Sequence, residues 1–427
     1  MGAFAQTVPN YFSPPAKHNT MFFELLFFVL AGVLLGTFTG IVPGIHPNTL
    51  FLLLLSLSPV LVQLPLECVL VFIVSVAVSN TFTDFIPSIF LGAPDPDAAL
   101  SVLPAHRLLL AGRGYEALVL SVAGGIGAVV LTLSTLPLLF ILLPTLYFLT
   151  RPYIHILLLI IVAWMVITEK NTPVAAAMFL LAGAFGTLSL NTLPENASLF
   201  PALTGMFGIS TMLVSIHNKT TLPKQERTAR ITHPMFLRGS ATGWFAGLLS
   251  GLLPGIGAAQ AGTLTSEISG SRKREFLVAL GGINTSNMIF TILVFYLIGK
   301  IRSGATHAIS QFMWNIGFSD MLLIISAMVL VCFTSAAVTL FIGKHAAVKM
   351  GKMNYTKTAL LTLLFLIAVV FFLSGAIGIL VCCTGVMIGT ATVLSGIKRT
   401  HMMGFLILPT ILYFSGMQNA LLFAFGL

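Results

Sequence analysis

GTFTGIVPGIHPNTL, residues 36–50, lies inside an apolar run and interrupts it twice, at Pro43-Gly44 and at His46-Pro47-Asn48. Proline has no N–H, and the ring of Pro43 in a helix would clash with the carbonyl of Thr39. Gly44 permits positive φ. The spacing therefore predicts a helix that stops near Pro43 and leaves backbone groups unpaired. In a membrane such a break is tolerated only where protein or a water-filled cavity surrounds it.

The surroundings are membrane-like. Of 427 residues, 57% are hydrophobic and 8% charged, with a mean hydropathy of +1.02. A soluble domain carries about 25% charged residues. A crossing helix needs roughly 20 apolar residues, and the apolar runs suggest about ten to twelve transmembrane segments, some of them broken or re-entrant. The alternating pattern of a membrane β-barrel is absent. Residues 1–20 are polar and show no signal-peptide pattern, because the apolar run from Met21 has no small-residue cleavage site; Met21 is itself a candidate start. Cys68, Cys332, Cys382 and Cys383 lie in apolar runs without metal-ligand spacing and read as packing residues.

The opening stretch has a twin. GVLLGTFTGIVPGI at 32–45 matches GWFAGLLSGLLPGI at 243–256, so that Gly32, Gly36, Gly40, Pro43 and Gly44 face Gly243, Gly247, Gly251, Pro254 and Gly255 at a constant offset of 211. Glycine at every fourth position also serves close helix packing. A second pair, VSNTFTDF at 78–85 and INTSNMIF at 283–290, sets Asn80-Thr81 against Asn284-Thr285 at an offset of 204.

Charge orients the halves. Residues 1–216 hold five Lys/Arg and eight Asp/Glu, whereas 217–427 hold sixteen and four. The basic residues cluster at 219–238, 272–274, 344–357 and 398–399, which reads as cytoplasmic loops under the positive-inside rule rather than as a nucleic-acid surface. Equivalent loops of the first half lack this charge, as an inverted repeat requires. The expected fold is an all-α polytopic membrane protein of two inverted repeats: a polar segment 1–20, a first repeat 21–216, a basic cytoplasmic linker 217–238 and a second repeat 239–427.

Paired Gly/Pro interruptions in two halves point to a transporter binding site, since broken helix ends offer N–H groups to anions and carbonyls to cations. Candidate substrate- or ion-binding residues are Gly44, His46, Asn48, Ser79, Asn80, Thr81 and Asp84 in the first half. In the second they are Gly255, Gly257, Gln260, Asn284, Thr285, Ser286 and Asn287. The hydroxyls and amides suit a carboxylate or Na⁺, and interhelical hydrogen bonding is their bland alternative. Asp84 shares a helical face with Asn80 and is a candidate for a coupling proton or cation; a helix end in water is the competing placement. Asp95, Asp97, His106, Arg107 and Arg113 in the turn-rich stretch 92–118 are candidates to gate or recognise an anion, against the plainer reading of a solvated loop. No zinc-protease motif, nucleophile elbow or phosphate loop is present, so no cofactor is expected beyond Na⁺ or H⁺ as coupling ion, and no enzyme activity.

GTFTGIVPGIHPNTL, FIPSIFLGAPDPDAALSVLPAHRLLLAGRGYEAL at 85–118 and GLLSGLLPGIGAAQAGTLTSEISGSRKREFLVALGGINTSNM at 247–288 resemble the large membrane subunit of tripartite tricarboxylate transporters, the TctA family, in a divergent, archaeal-type form. The resemblance implies ion-driven uptake of a di- or tricarboxylate across the cytoplasmic membrane by a multi-pass protein. It also implies a small membrane subunit and an extracytoplasmic binding protein as partners, and a homodimer. A Ser-Asn-Thr signature in each half would cup substrate carboxylates; Ser79-Asn80-Thr81 matches it literally, while Ile283 stands before Asn284-Thr285. Competing readings from other classes are a non-transporting membrane scaffold and a membrane-embedded enzyme.

Overall fold

The computed structural model describes residues 18–42, 63–91, 102–217, 223–253, 273–350 and 355–419, with positions 51, 61, 258, 261 and 262. Among the described residues there are helices and no strand. In order they are α1 (His18–Ile41), α2 (Leu66–Thr83), α3 (Phe85–Phe90), α4 (Val102–Leu110), α5 (Gly114–Thr150), α6 (Ile154–Ile167), α7 (Thr172–Thr192), α8 (Glu195–Leu203), α9 (Ser210–His217), α10 (His233–Leu252), α11 (Lys273–Ile298), α12 (Gly304–Phe312), α13 (Phe318–Met350), α14 (Tyr355–Leu394) and α15 (Gly404–Phe414). A 3₁₀ turn, Arg151–Tyr153, joins α5 to α6; a π turn, Thr204–Ile209, joins α8 to α9; and a second 3₁₀ turn, Arg399–Met403, leads into α15.

Local chemistry sets several boundaries. Proline stands in the first turn of α7 and α10, where its missing N–H costs nothing. For this reason α10 starts at His233, inside the stretch read as linker. Ser303 and Thr306 form a capping box at the start of α12. At its other end α10 stops at Leu252, and Leu253 is extended at φ −89, ψ 125, as expected for the residue before a proline. The first break is entered the same way, with α1 ending at Ile41. The breaks themselves, with Pro43, Gly44, His46, Asn48, Pro254, Gly255, Gly257 and Gln260, lie outside the described residues.

Eight described segments are long and apolar enough to cross a membrane. Two are too long for one crossing. Residues 114–167 make a run of 54, which at 1.5 Å per residue would reach about 80 Å against a hydrocarbon core of about 30 Å. The 40 residues of α14 divide at Gly375, whose φ of 64 and ψ of −160 only glycine adopts without strain. Asn196 fastens this bend, donating from Nδ2 to the Leu373 carbonyl at 3.0 Å and accepting at its own carbonyl from Ser374 Oγ at 2.5 Å.

The glycine ladders pack two helix pairs alike. A Cβ on Gly36 would sit 2.5 Å from the Val76 carbonyl oxygen and 2.8 Å from Ser79 Cβ. Gly32 faces Phe72 and Ser75, and Gly40 faces Thr83 and Asp84. In the second half Gly243 faces Ala279 and Gly282, Gly247 faces Ser286 and Asn287, and Gly251 faces Phe290 and Thr291. The first helix of each pair keeps the offset of 211, as from Gly36 to Gly247. The second is offset by 207, as from Ser79 to Ser286. The structural counterpart of Asn80 is therefore Asn287, as that of Ser79 is Ser286, whereas letter matching set Asn80-Thr81 against Asn284-Thr285. Three residues are nearly one helical turn, so both alignments put asparagine on about the same face, and packing separates them.

Each half completes the other. α5 of the first half packs on α10 and α11 of the second, and α13 of the second packs on α1 and α2 of the first. Likewise α8 and the π turn lie on α14, and α15 lies on α7. Two bundles result, one of α1–α5 with α10–α13, the other of α6–α9 with α14 and α15. The first centres on Val74, Phe82, Phe90, Leu118 and Phe290, the second on Phe179, Met206, Met403 and Phe405.

Candidate functional site

The first helix pair is tied by hydroxyls and an amide. Ser79 Oγ donates to the Val33 carbonyl at 3.1 Å and lies 3.2 Å from Thr37 Oγ1. Asn80 Nδ2 donates to Thr39 Oγ1 at 3.2 Å. In the second pair Ser250 Oγ donates to Asn287 Oδ1 at 2.9 Å, and Ser286 Oγ donates to the Gly282 carbonyl at 2.6 Å. Thr39 and Ser250 correspond at the offset of 211, and Asn80 and Asn287 at 207, so the hydroxyl–asparagine bond recurs in both halves. Sequence reasoning did not single out Thr39 or Ser250, although both precede the third glycine of their ladder, in GTFTG and GLLSG. That matched small hydroxyl was the available signal.

A second cluster joins the halves and has no repeat. Asn284 Nδ2 donates to Asp84 Oδ2 at 2.7 Å and to the Thr81 carbonyl at 3.2 Å. Thr81 Oγ1 and Thr285 Oγ1 lie 3.4 Å apart. Asp84, Thr81, Asn284 and Thr285 are all buried. At the offset of 207, Asn284 and Thr285 would answer to Ala77 and Val78, and Asp84 to Thr291. Of the two placements open to Asp84, the structure gives burial. The structure thus gathers Ser79, Asn80, Thr81, Asp84, Asn284, Thr285, Ser286 and Asn287 onto α2 and α11 and their junction. The candidates in the two breaks lie outside the described residues.

In the described part of the stretch 92–118, His106 and Glu116 are buried and Arg107 is exposed. Asp95 and Asp97 fall outside the described residues. Burial pulls His106 down to about 4, and the Arg399 charge adds to this, so the imidazole is neutral near pH 7 and a poor anion receptor. Arg113 pairs with the buried carboxylate of Glu116, which also meets Arg274 Nε at 3.3 Å. The basic linker docks beside them. Gln225 Oε1 accepts from Gly114 N–H at 2.9 Å, and Glu226 N–H donates to the Gly112 carbonyl at 2.7 Å.

Two further polar contacts escaped the sequence reading, being long-range pairings of residues that look unremarkable alone. Arg302, between α11 and α12, donates from Nη2 to the Leu252 carbonyl at 2.5 Å and lies over the Tyr147 ring at 5.7 Å. Burial lowers it to about 10, with Tyr147 opposing, so it stays charged at neutral pH. In the other bundle the Glu169 carboxylate accepts from Lys170 N–H at 3.1 Å, from Lys398 N–H at 3.2 Å and from His401 Nε2 at 3.2 Å. Burial alone would raise its pKa, and these donors outweigh burial and hold it below the ordinary carboxylate value. A lowered folded pKa means stability that is fully present above the unfolded value of 4.5 and lost as pH falls through the folded one. Detergent-solubilised protein should lose melting temperature below pH 4.5, and Glu169→Gln should lose less over the same range. Equal pH slopes would remove Glu169 from the account.

Among the described residues no cluster of His, Cys, Asp and Glu suits a polydentate metal site. The described residues, all-helical with eight segments fit to cross a membrane and a buried polar junction between the halves, define a polytopic membrane protein. The chain belongs to the tripartite tricarboxylate transporter TctA family, whose model matches residues 26–404. It is 32% identical over 401 residues to an uncharacterized protein of Methanocaldococcus jannaschii, covering 91% of this chain and 98% of that one. No solved structure matches the chain. The family makes it a component of a tripartite transport system.

Proposed function

We propose that this chain is the ion-gradient-driven permease of such a system, importing a small organic anion, a di- or tricarboxylate, across the cytoplasmic membrane by alternating access. Na⁺ or H⁺ is the coupling ion. A small membrane subunit and an extracytoplasmic binding protein are its partners, and it is not an enzyme. The observation that carries the reading is the buried junction at which Asn284 of one half grips Asp84 and Thr81 of the other. Intramembrane carboxylates are costly and mark ion or substrate paths. The hydroxyls and amides of Ser79, Asn80, Ser286 and Asn287 flank this junction and would share the anion with the backbone of the two breaks.

Inverted repeats fit the helix directions. α1 and α2 run together, Gly32 beside Ser75 and Gly40 beside Thr83; α10 and α11 run together in the same way. α5 runs with α11, Gly124 beside Val278 and Phe140 beside Tyr296. Its first turn, at Gly114, meets Phe90 at the end of α3. The first pair thus ends near the level at which the second begins, which supports an antiparallel arrangement of the two pairs. The division into two bundles suits an elevator-like movement of one past the other.

Reconstituted protein should accumulate labelled succinate or citrate when an inward Na⁺ or H⁺ gradient is applied. Asn80→Ala should lose most of that uptake while remaining monodisperse. Well-folded wild type that accumulates no acid under either gradient would overturn transport by this chain alone and favour a scaffold role.

A further inference from the structure

Arg302 sits at the end of the molecule opposite the linker. The turn before α5 holds the basic linker through Gln225 and Glu226, and the charge rule puts that end in the cytoplasm. From Gly114 to Tyr147 α5 climbs about 50 Å, and Tyr147 is the ring beneath Arg302. The loop of Arg302 is therefore extracytoplasmic. There the same rule expects few cations, yet Lys300 and Arg302 stand two residues apart, and Arg151 ends α5 at the same level.

Arg302 has no carboxylate partner among the described residues. One of its five N–H donors goes to Leu252, in the last turn of α10, two residues before Pro254. That contact explains a cation as a cap on the negative end of a helix. It leaves unexplained why the cap is an arginine, with a planar fork held over an aromatic ring beside the end of α10. A guanidinium fixed this way keeps an edge for bidentate binding of a carboxylate.

We propose that Arg302 is the extracytoplasmic receptor for a carboxylate group of the incoming organic anion, a specificity residue separate from the buried junction. The inference rests on the transporter reading and adds a residue to it. Lys300 raises the local anion concentration, Tyr147 holds the fork in place, and the Leu252 contact keeps it at the end of α10.

Initial rates of labelled succinate and citrate uptake into proteoliposomes test this for wild type, Arg302→Lys and Arg302→Gln. Glutamine carries no charge, and its amide nitrogen ends two bonds short of the guanidinium Nη2, so the melts report any loss of the Leu252 contact. Arg302→Gln should raise KM about 30-fold with kcat little changed, the loss expected for one charged hydrogen-bonded contact. Arg302→Lys should fall between, and melting temperatures should stay near wild type. An unchanged KM in Arg302→Gln, or a fall in rate that tracks melting temperature in both variants, overturns the receptor role and leaves the transporter standing. Wild type that takes up neither acid overturns both.

Discussion

Asn284→Ala should abolish gradient-driven uptake and lower stability by about 3 kcal/mol, the upper range for leaving a buried group without its hydrogen-bond partner. The side chain gives both amide hydrogens across the junction, one to the Asp84 carboxylate and one to the Thr81 carbonyl. Its removal leaves a buried carboxyl oxygen and a buried carbonyl each short of a donor. The variant Asn284→Ala/Asp84→Ala separates the two roles of the contact. Removing both partners takes away the carboxyl group that Asn284 satisfied, so much of the stability should return. Uptake should not return if the junction handles ion or substrate. Thermal melts and uptake assays on the single and double variants form a complete cycle. Restored uptake in the double variant would reduce the junction to a structural tie.

The same residues mark where sequence reasoning stopped. The membrane class, the glycine ladders and the positions at which α1 and α10 stop follow from composition and from proline chemistry, which act locally. Ser79, Asn80, Asp84, Asn284 and Asn287 were legible as polar groups in apolar runs. Their pairing was not. Asn80-Thr81 and Asn284-Thr285 share letters, whereas the residue packed in the second pair as Asn80 is in the first is Asn287, because register follows the contact of Gly36 with Ser79 and of Gly247 with Ser286. The grip of Asn284 on Asp84 and the cap of Arg302 on Leu252 join residues 200 and 50 apart in the chain. No local pattern encodes such contacts; they exist only once both halves have packed. His106 shows the converse, a plausible anion receptor by type that burial renders neutral.

Packing between the halves is also where a single methyl group should do most damage. Gly124→Ala should destabilise the protein by at least about 3 kcal/mol, the severe end of overpacking. A Cβ on Gly124 would overlap the Val278 carbonyl oxygen, and one on Gly281 would overlap the Ser121 carbonyl oxygen. Both obstacles are backbone, so no side chain can swing aside, and α5 and α11 must separate. Contacts of that kind are ordinarily about 3.3 Å or more. The separation would reach the junction, because Gly125 lies against Thr285 and Phe82. Gly317→Ala is the control. Its nearest neighbour is the Asp320 carboxylate oxygen at 3.0 Å, the end of a half-buried side chain that accepts from Gly317 N–H and can shift by a few tenths of an ångström, and the change should cost under about 1 kcal/mol. Thr81→Cys/Thr285→Cys supplies a local readout, since the two hydroxyls stand 3.4 Å apart. Cross-linking between these cysteines should be efficient in an otherwise native chain and fall sharply when Gly124→Ala is added. A Gly124→Ala variant that melts like wild type and still cross-links would mean that α5 and α11 do not meet this closely. The placement of Asn284 against Asp84, which depends on that approach, would fall with it.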